Sequence, residues 1–162
     1  MPAPVTHRLA MPAIAASLAL GAAPALAQTC TATSTGVAFG GYSTTLVTPT
    51  DAAGSVSVRC TALLSLTVNY TVDLATGSSG SFTARSMLQG ASVLSYNLYT
   101  TAARTTVWGN GTGGTGRISA TGILVTPLTP HNATYTVFGR IPARQNVTIG
   151  SYIDTIVATV TY

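Results

Sequence analysis

A two-residue alternation over residues 66–74 constrains this chain more than any other feature. Leu66, Val68, Tyr70, Val72 and Leu74 interleave with Thr67, Asn69, Thr71 and Asp73. Successive side chains of an extended chain point to opposite faces, so this pattern is a strand with one apolar and one polar side. The pattern recurs. Val56, Val58 and Cys60 alternate with Ser55, Ser57 and Arg59, and Tyr135, Val137 and Ile141 alternate with Thr134, Thr136 and Arg140. At the end of the chain Ile156, Ala158, Val160 and Tyr162 stand against Thr155, Val157, Thr159 and Thr161. β-Branched and aromatic residues dominate these runs, as half-buried strands require. Further strands are expected around 31–39, 82–88, 93–99, 105–108 and 117–125.

Turn residues punctuate the runs at 48–51, 77–80, 109–116, 129–132 and 149–151, each rich in Gly, Pro, Ser or Asn. Many short strands with frequent turns predict an all-β sandwich or barrel. No repeat, linker or second domain is visible in the pattern.

Residues 1–27 read as an export signal peptide. His7 and Arg8 supply a positive start, an Ala-rich apolar stretch follows from Leu9 to Leu26, and Ala25-Leu26-Ala27 is a small-x-small cleavage signal. Pro12 and Pro24 and the weakly apolar alanines argue against a membrane anchor there, and no later stretch is apolar and long enough to span a bilayer. Residues 28–162 are then expected as one exported domain, reaching the periplasm and then the cell surface or the exterior. That part carries six arginines, three aspartates and neither lysine nor glutamate. The arginines are scattered along the sequence, which argues against a nucleic-acid partner.

Cys30 and Cys60 are the only cysteines. In an exported chain an even pair reads as a disulfide. It would join the first strand to the one ending at Cys60, and closing a loop of this size stabilises by roughly 3.5 kcal/mol in the chain-entropy account.

Raw material for catalysis is scarce. The string Gly109-Asn110-Gly111-Thr112-Gly113-Gly114-Thr115-Gly116 satisfies G-x-G-x-x-G, but Arg117 to Thr121 alternates like a strand and no acid follows until Asp154. A dinucleotide loop needs a helix after it and an acid about 20 residues on, so a flexible hairpin loop is the better reading. His131, beside Pro130 and Asn132, is expected to be solvated in a turn, and no nucleophile-elbow motif accompanies it. With one histidine in residues 28–162 and both cysteines oxidised, a metal site lacks ligands. Four Asn-x-Thr triplets, at Asn69, Asn110, Asn132 and Asn146, are read as incidental in so threonine-rich a chain. The chain is therefore read as a non-enzyme without cofactor. Of its aromatics, Tyr99 and Trp108 are the candidates for binding a surface or a sugar.

The residues also assemble into a familiar order. Cys30 is followed by Val37-Ala38-Phe39-Gly40-Gly41-Tyr42 and by Gly54-Ser55-Val56-Ser57-Val58-Arg59-Cys60. Then come Arg85-Ser86-Met87, Leu94-Ser95-Tyr96-Asn97-Leu98-Tyr99, Trp108-Gly109, Phe138-Gly139-Arg140-Ile141-Pro142 and Gly150-Ser151-Tyr152-Ile153-Asp154-Thr155. This resembles the spore coat protein U domain, shared with subunits of archaic, Csu-type chaperone-usher pili, over essentially all of residues 28–162. The resemblance implies an immunoglobulin-like β-sandwich lacking its last strand. It implies as partners a periplasmic pilus chaperone, which first fills the gap by β-augmentation, other pilus subunits, one of which later replaces it, and an outer-membrane usher. Ile156, Ala158, Val160 and Tyr162 are the expected groove-lining face. With cleavage after Ala27 only Gln28 and Thr29 precede Cys30, a span of about 7 Å that cannot fill a groove. The expected role is a structural or adhesive subunit that accepts a strand without donating one, at a tip or as a terminator. A stand-alone coat or matrix protein, or a small carbohydrate-binding module, are the alternatives.

Overall fold

The computed structural model describes residues 28–162, so the leader expected over 1–27 lies outside the described residues. Nine strands follow in chain order: β1 (Gln28–Thr35), β2 (Thr50–Ala62), β3 (Leu66–Leu74), β4 (Ser86–Gln89), β5 (Ser92–Ser95), β6 (Asn97–Tyr99), β7 (Ile118–Val125), β8 (His131–Ile141) and β9 (Ala158–Thr161). They form a sheet of order β1-β2-β8-β6, a second of order β7-β3-β9, and a β4-β5 hairpin. All ladder pairings are antiparallel.

The alternating residues make a sandwich of these sheets. In β2 and β8 the directly opposed pairs Ser55↔Thr136 and Ser57↔Thr134 lie on the polar face, and Val56↔Tyr135 and Val58↔Ala133 lie on the apolar one. The second sheet answers with Val68, Tyr70, Val72 and Leu74, all at most 3% exposed. Burying two such faces against each other removes apolar surface from water at roughly 25 cal/mol per Å², which drives the assembly. Inside, the Tyr70 hydroxyl of β3 lies 2.9 Å from Nε2 of His131 and 2.7 Å from the Tyr135 hydroxyl, both on β8. A buried phenol thus finds partners on the facing sheet, and burial, with the Tyr135 bond, keeps Tyr70 protonated far above the ordinary tyrosine range.

The disulfide is formed. Cys30 and Cys60 stand directly opposite each other in the β1–β2 ladder and are joined. The chain is all-β, with an immunoglobulin-like arrangement.

Several expectations need correction. β1 stops at Thr35, and residues 36–49 run without a ladder apart from one short turn near residue 45. The strand expected over 105–108 is reduced to isolated bridges at Val107 and Trp108. The run 93–99 is split at Tyr96: its amide still bonds Arg85 O at 3.0 Å in the β4–β5 register, while Asn97 to Tyr99 pair with β8 instead. Thr50 and Asp51, expected in a turn, open β2. His131 and Asn132, expected in a turn, begin β8, because the Tyr70 bond holds the imidazole at the sheet interface. The glycine-rich loop 109–116 leads into β7 rather than a helix, with Gly111, Gly113 and Gly114 at positive φ.

Candidate functional site: the opening between β1 and β9

β1 is the edge of the four-stranded sheet and β9 the edge of the three-stranded one. Each pairs with one neighbour only, and they approach each other without pairing. On β1, Cys30, Ala32 and Ser34 point inward, because their partners Cys60, Val58 and Val56 are buried. Yet Ala32 and Ser34 are exposed. On β9, Ala158 and Val160 point inward opposite Leu74 and Val72, and both are only half-buried although these partners are at most 3% exposed. The inner faces of both edge strands are therefore short of cover.

Between these edges lies a cavity of about 150 Å³. Leu74, Leu98 and Val137 contribute apolar floor, Ser34 and Thr35 of β1 form one wall, and Ile156 and Ala158 form the other. A second, larger cleft of about 980 Å³ adjoins it and shares Val37, Phe39 and Met87. Val37 and Phe39 come from the unpaired segment after β1, and Met87 from β4. Val37 and Phe39 alternate inward with exposed Ala38 and Gly40, like a strand without a ladder. They rest on Gly139 of β8, where a Cβ would come within 2.6 Å of Val37 and 2.7 Å of Phe39. The Phe39 ring meets Tyr96 edge-on at 5.9 Å.

One end of the opening is organised by charge. Arg85 is 0% exposed, a rare condition for a cation. Its guanidinium donates to Ala75 O at 2.7 and 3.0 Å, Trp108 O at 2.7 Å and Asn97 Oδ1 at 2.9 Å. Asp154, on the cavity wall, accepts from the Tyr96 hydroxyl at 2.7 Å and from the backbone N–H of Ser78 and Thr155, each at 2.9 Å. Burial and the bond to Asp154 hold the Tyr96 phenol well above its ordinary range, so it stays a donor.

The expected site residues separate. Ile156 and Ala158 line the cavity. Val160 packs against the core without lining the cavity, and Tyr162 lies past the end of β9, 50% exposed. Trp108 cannot bind a surface. It is 0% exposed, and its indole N–H donates to Val72 O at 2.9 Å. Tyr99 is half-buried on β6, opposite Phe138. Missing from the sequence-based list are Arg85, Tyr96 and Asp154. Their signal was their place in three of the motifs that carry the resemblance, 85–87, 94–99 and 150–155, where no role was assigned to them. Among the described residues no group of His, Cys, Asp or Glu is placed to hold a metal.

The fold and its opening define an immunoglobulin-like sandwich with two uncovered edge strands. The Spore Coat Protein U domain matches residues 16–159, and the chain belongs to that family. It is 40% identical over 114 residues to Protein U of Myxococcus xanthus; the match takes in 67% of this chain and 59% of that protein. Its fold resembles a chain in the crystal structure of a CsuC-CsuE chaperone-tip adhesion subunit pre-assembly complex from the archaic chaperone-usher Csu pili of Acinetobacter baumannii. That similarity has a TM-score of 0.56 at 23% identity, covering 84% of this chain and 40% of that one.

Proposed function

We propose that this protein is a structural subunit of a pilus or surface coat, and that the opening between β1 and β9 accepts a strand from another chain. The observation that carries the reading is the exposure of Ala32 and Ser34, inward-facing residues whose ladder partners are buried. A strand laid there would find unpaired backbone on both edges, and its alternate side chains would enter the cavity. Left empty, such edges invite indiscriminate pairing. The first occupant in this reading is a periplasmic chaperone and the later one a neighbouring subunit. The likeness to a chain from a chaperone–subunit complex supports that order. A recipient that does not itself donate belongs to the same proposal: if a leader is removed after Ala27, two residues precede Cys30. The Spore Coat Protein U family match favours a second reading, a stand-alone coat protein.

The test is export with and without a co-expressed pilus chaperone. The expected result is a one-to-one complex with the chaperone and, without it, a reduced yield of monomer that aggregates or is cut on storage. Ala158→Glu, which puts a charge into the cavity wall, is expected to abolish the complex. A stable monomer that ignores the chaperone would sink the strand-accepting reading and leave the coat reading standing.

A further inference from the structure

The wall formed by residues 154–158 has little to hold it. Ile153 exchanges two backbone bonds with Leu88, at 2.9 and 3.2 Å, and Ala75 N–H donates to Val157 O at 2.9 Å. Ile156 is half-buried and Val157 is 58% exposed. Apolar burial here is modest, yet this wall must keep its place if the opening is to have a defined shape.

Two oddities elsewhere meet at this wall. The first is Arg85. No carboxylate lies within ion-pair distance of its fully buried guanidinium, so it is balanced at close range only by oxygen dipoles and by the Phe82 ring, 5.7 Å away. An ion taken out of water without a counter-charge costs several kcal/mol. The second is Asp154. Asp51 is gripped by Arg140 and Arg104, and Asp73 by Arg117, but Asp154 touches no arginine. Tyr96 lies between the two: its hydroxyl donates to Asp154, and its amide donates to the main-chain carbonyl of Arg85 at 3.0 Å.

We propose that Asp154 is a positioning residue of the opening, docking segment 154–158 onto the sandwich by serving, through Tyr96, as the counter-charge of buried Arg85. Two routes from Arg85 then reach the wall. One runs from its main-chain carbonyl through Tyr96 to Asp154. The other runs through Ala75, whose carbonyl takes two Arg85 bonds while its amide holds Val157. Gly77 makes room for this arrangement. It sits at φ +70°, and a Cβ there would collide with the Asp154 carboxylate and the end of Ile156. The inference deepens the strand-accepting reading, since it names what gives the recipient wall its shape.

Hydrogen–deuterium exchange on the purified exported protein tests it without any partner. Asp154→Asn and Tyr96→Phe are expected to speed exchange in peptides covering residues 150–161 and Ala75 by about tenfold or more, the scale of one hydrogen bond to a charged group. Protection in β2 and β8 is expected to stay unchanged. Val125→Ala, a core truncation on β7, serves as the comparison and is expected to loosen both sheets. In a double-mutant cycle, Arg85→Met is expected to do less harm in the Asp154→Asn background than alone. Uniform loss of protection in Asp154→Asn and Tyr96→Phe, like that of Val125→Ala, or additive effects of Arg85→Met and Asp154→Asn, would overturn the proposal. Tyr96→Phe keeps the test open if Arg85→Met fails to fold. Because exchange needs no incoming strand, a protein that passes it but captures no strand refutes the strand-accepting reading alone.

Discussion

Each of the three aspartates of the described chain is committed, and each in a different way. Asp51 joins the start of β2 to the end of β8: Arg140 grips it through two bonds of 2.7 and 2.8 Å, and Arg104 adds a contact at 3.2 Å. Hydrogen bonding from Arg140, with the charges of Arg104 and Arg140, holds its carboxyl below the ordinary value of 3.8 against the opposing effect of burial. A depressed folded pKa adds stability that is present above the unfolded value and lost as pH falls through the folded one. Asp51→Asn is therefore expected to destabilise by about 0.5–1 kcal/mol at pH 7, the scale of a partly exposed pair. The variant and the parent should converge as pH falls below about 4. Urea denaturation across that range checks the sign, and a difference that grows toward acid would refute it. None of this pairing was legible in the sequence. The arginines are scattered along the chain, and only the β2–β8 register brings Asp51 opposite Arg140.

Strands with strict alternation were read correctly because each carries its own evidence of which face is buried. β3 begins and ends where the pattern from Leu66 to Leu74 does. Failures concentrate where alternation continues but the partner strand does not. Val37 and Phe39 keep the spacing of a strand, yet they lie on Gly139 of β8 with no ladder of their own. In the same way, Ile156 alternates with β9 but precedes its first paired residue, Ala158. Pairing is a property of two segments, and neither sequence contains it alone. Gly139→Val tests the first case. Its side chain must displace Val37 and Phe39, so the expected cost is about 1–3 kcal/mol from overpacking. Limited proteolysis should then cut within 36–49 while β2 and β8 stay intact. Unchanged resistance in that segment would show that Val37 and Phe39 are not held there.

For the whole molecule, the disulfide closes the corner beside the opening. Cys30 lies near the start of β1, which has a neighbour on one side only, so the crosslink ties the uncovered strand to β2 whether or not anything lies along its outer edge. Reduction is expected to lower the melting temperature by about 10 °C, given a loop of 30 residues and a domain of this size. Calorimetry with and without reductant reads this, and an unchanged transition would remove the disulfide from the stability account. The bond was expected from two cysteines in a chain whose leader reads as an export signal. Its setting, between directly opposed residues of an edge ladder, was not.

Charge also sets how such molecules meet. With its aspartates bound internally or to arginines, the polar face of the β1-β2-β8 sheet is carried mainly by hydroxyls, such as the Ser57–Thr134 pair at 2.8 Å and the Thr35–Ser55 pair at 2.9 Å. Mobile ions screen exposed charges within about 10 Å at moderate salt, but they leave hydroxyl contacts and dispersion nearly untouched. Contacts made through this face would therefore depend little on salt.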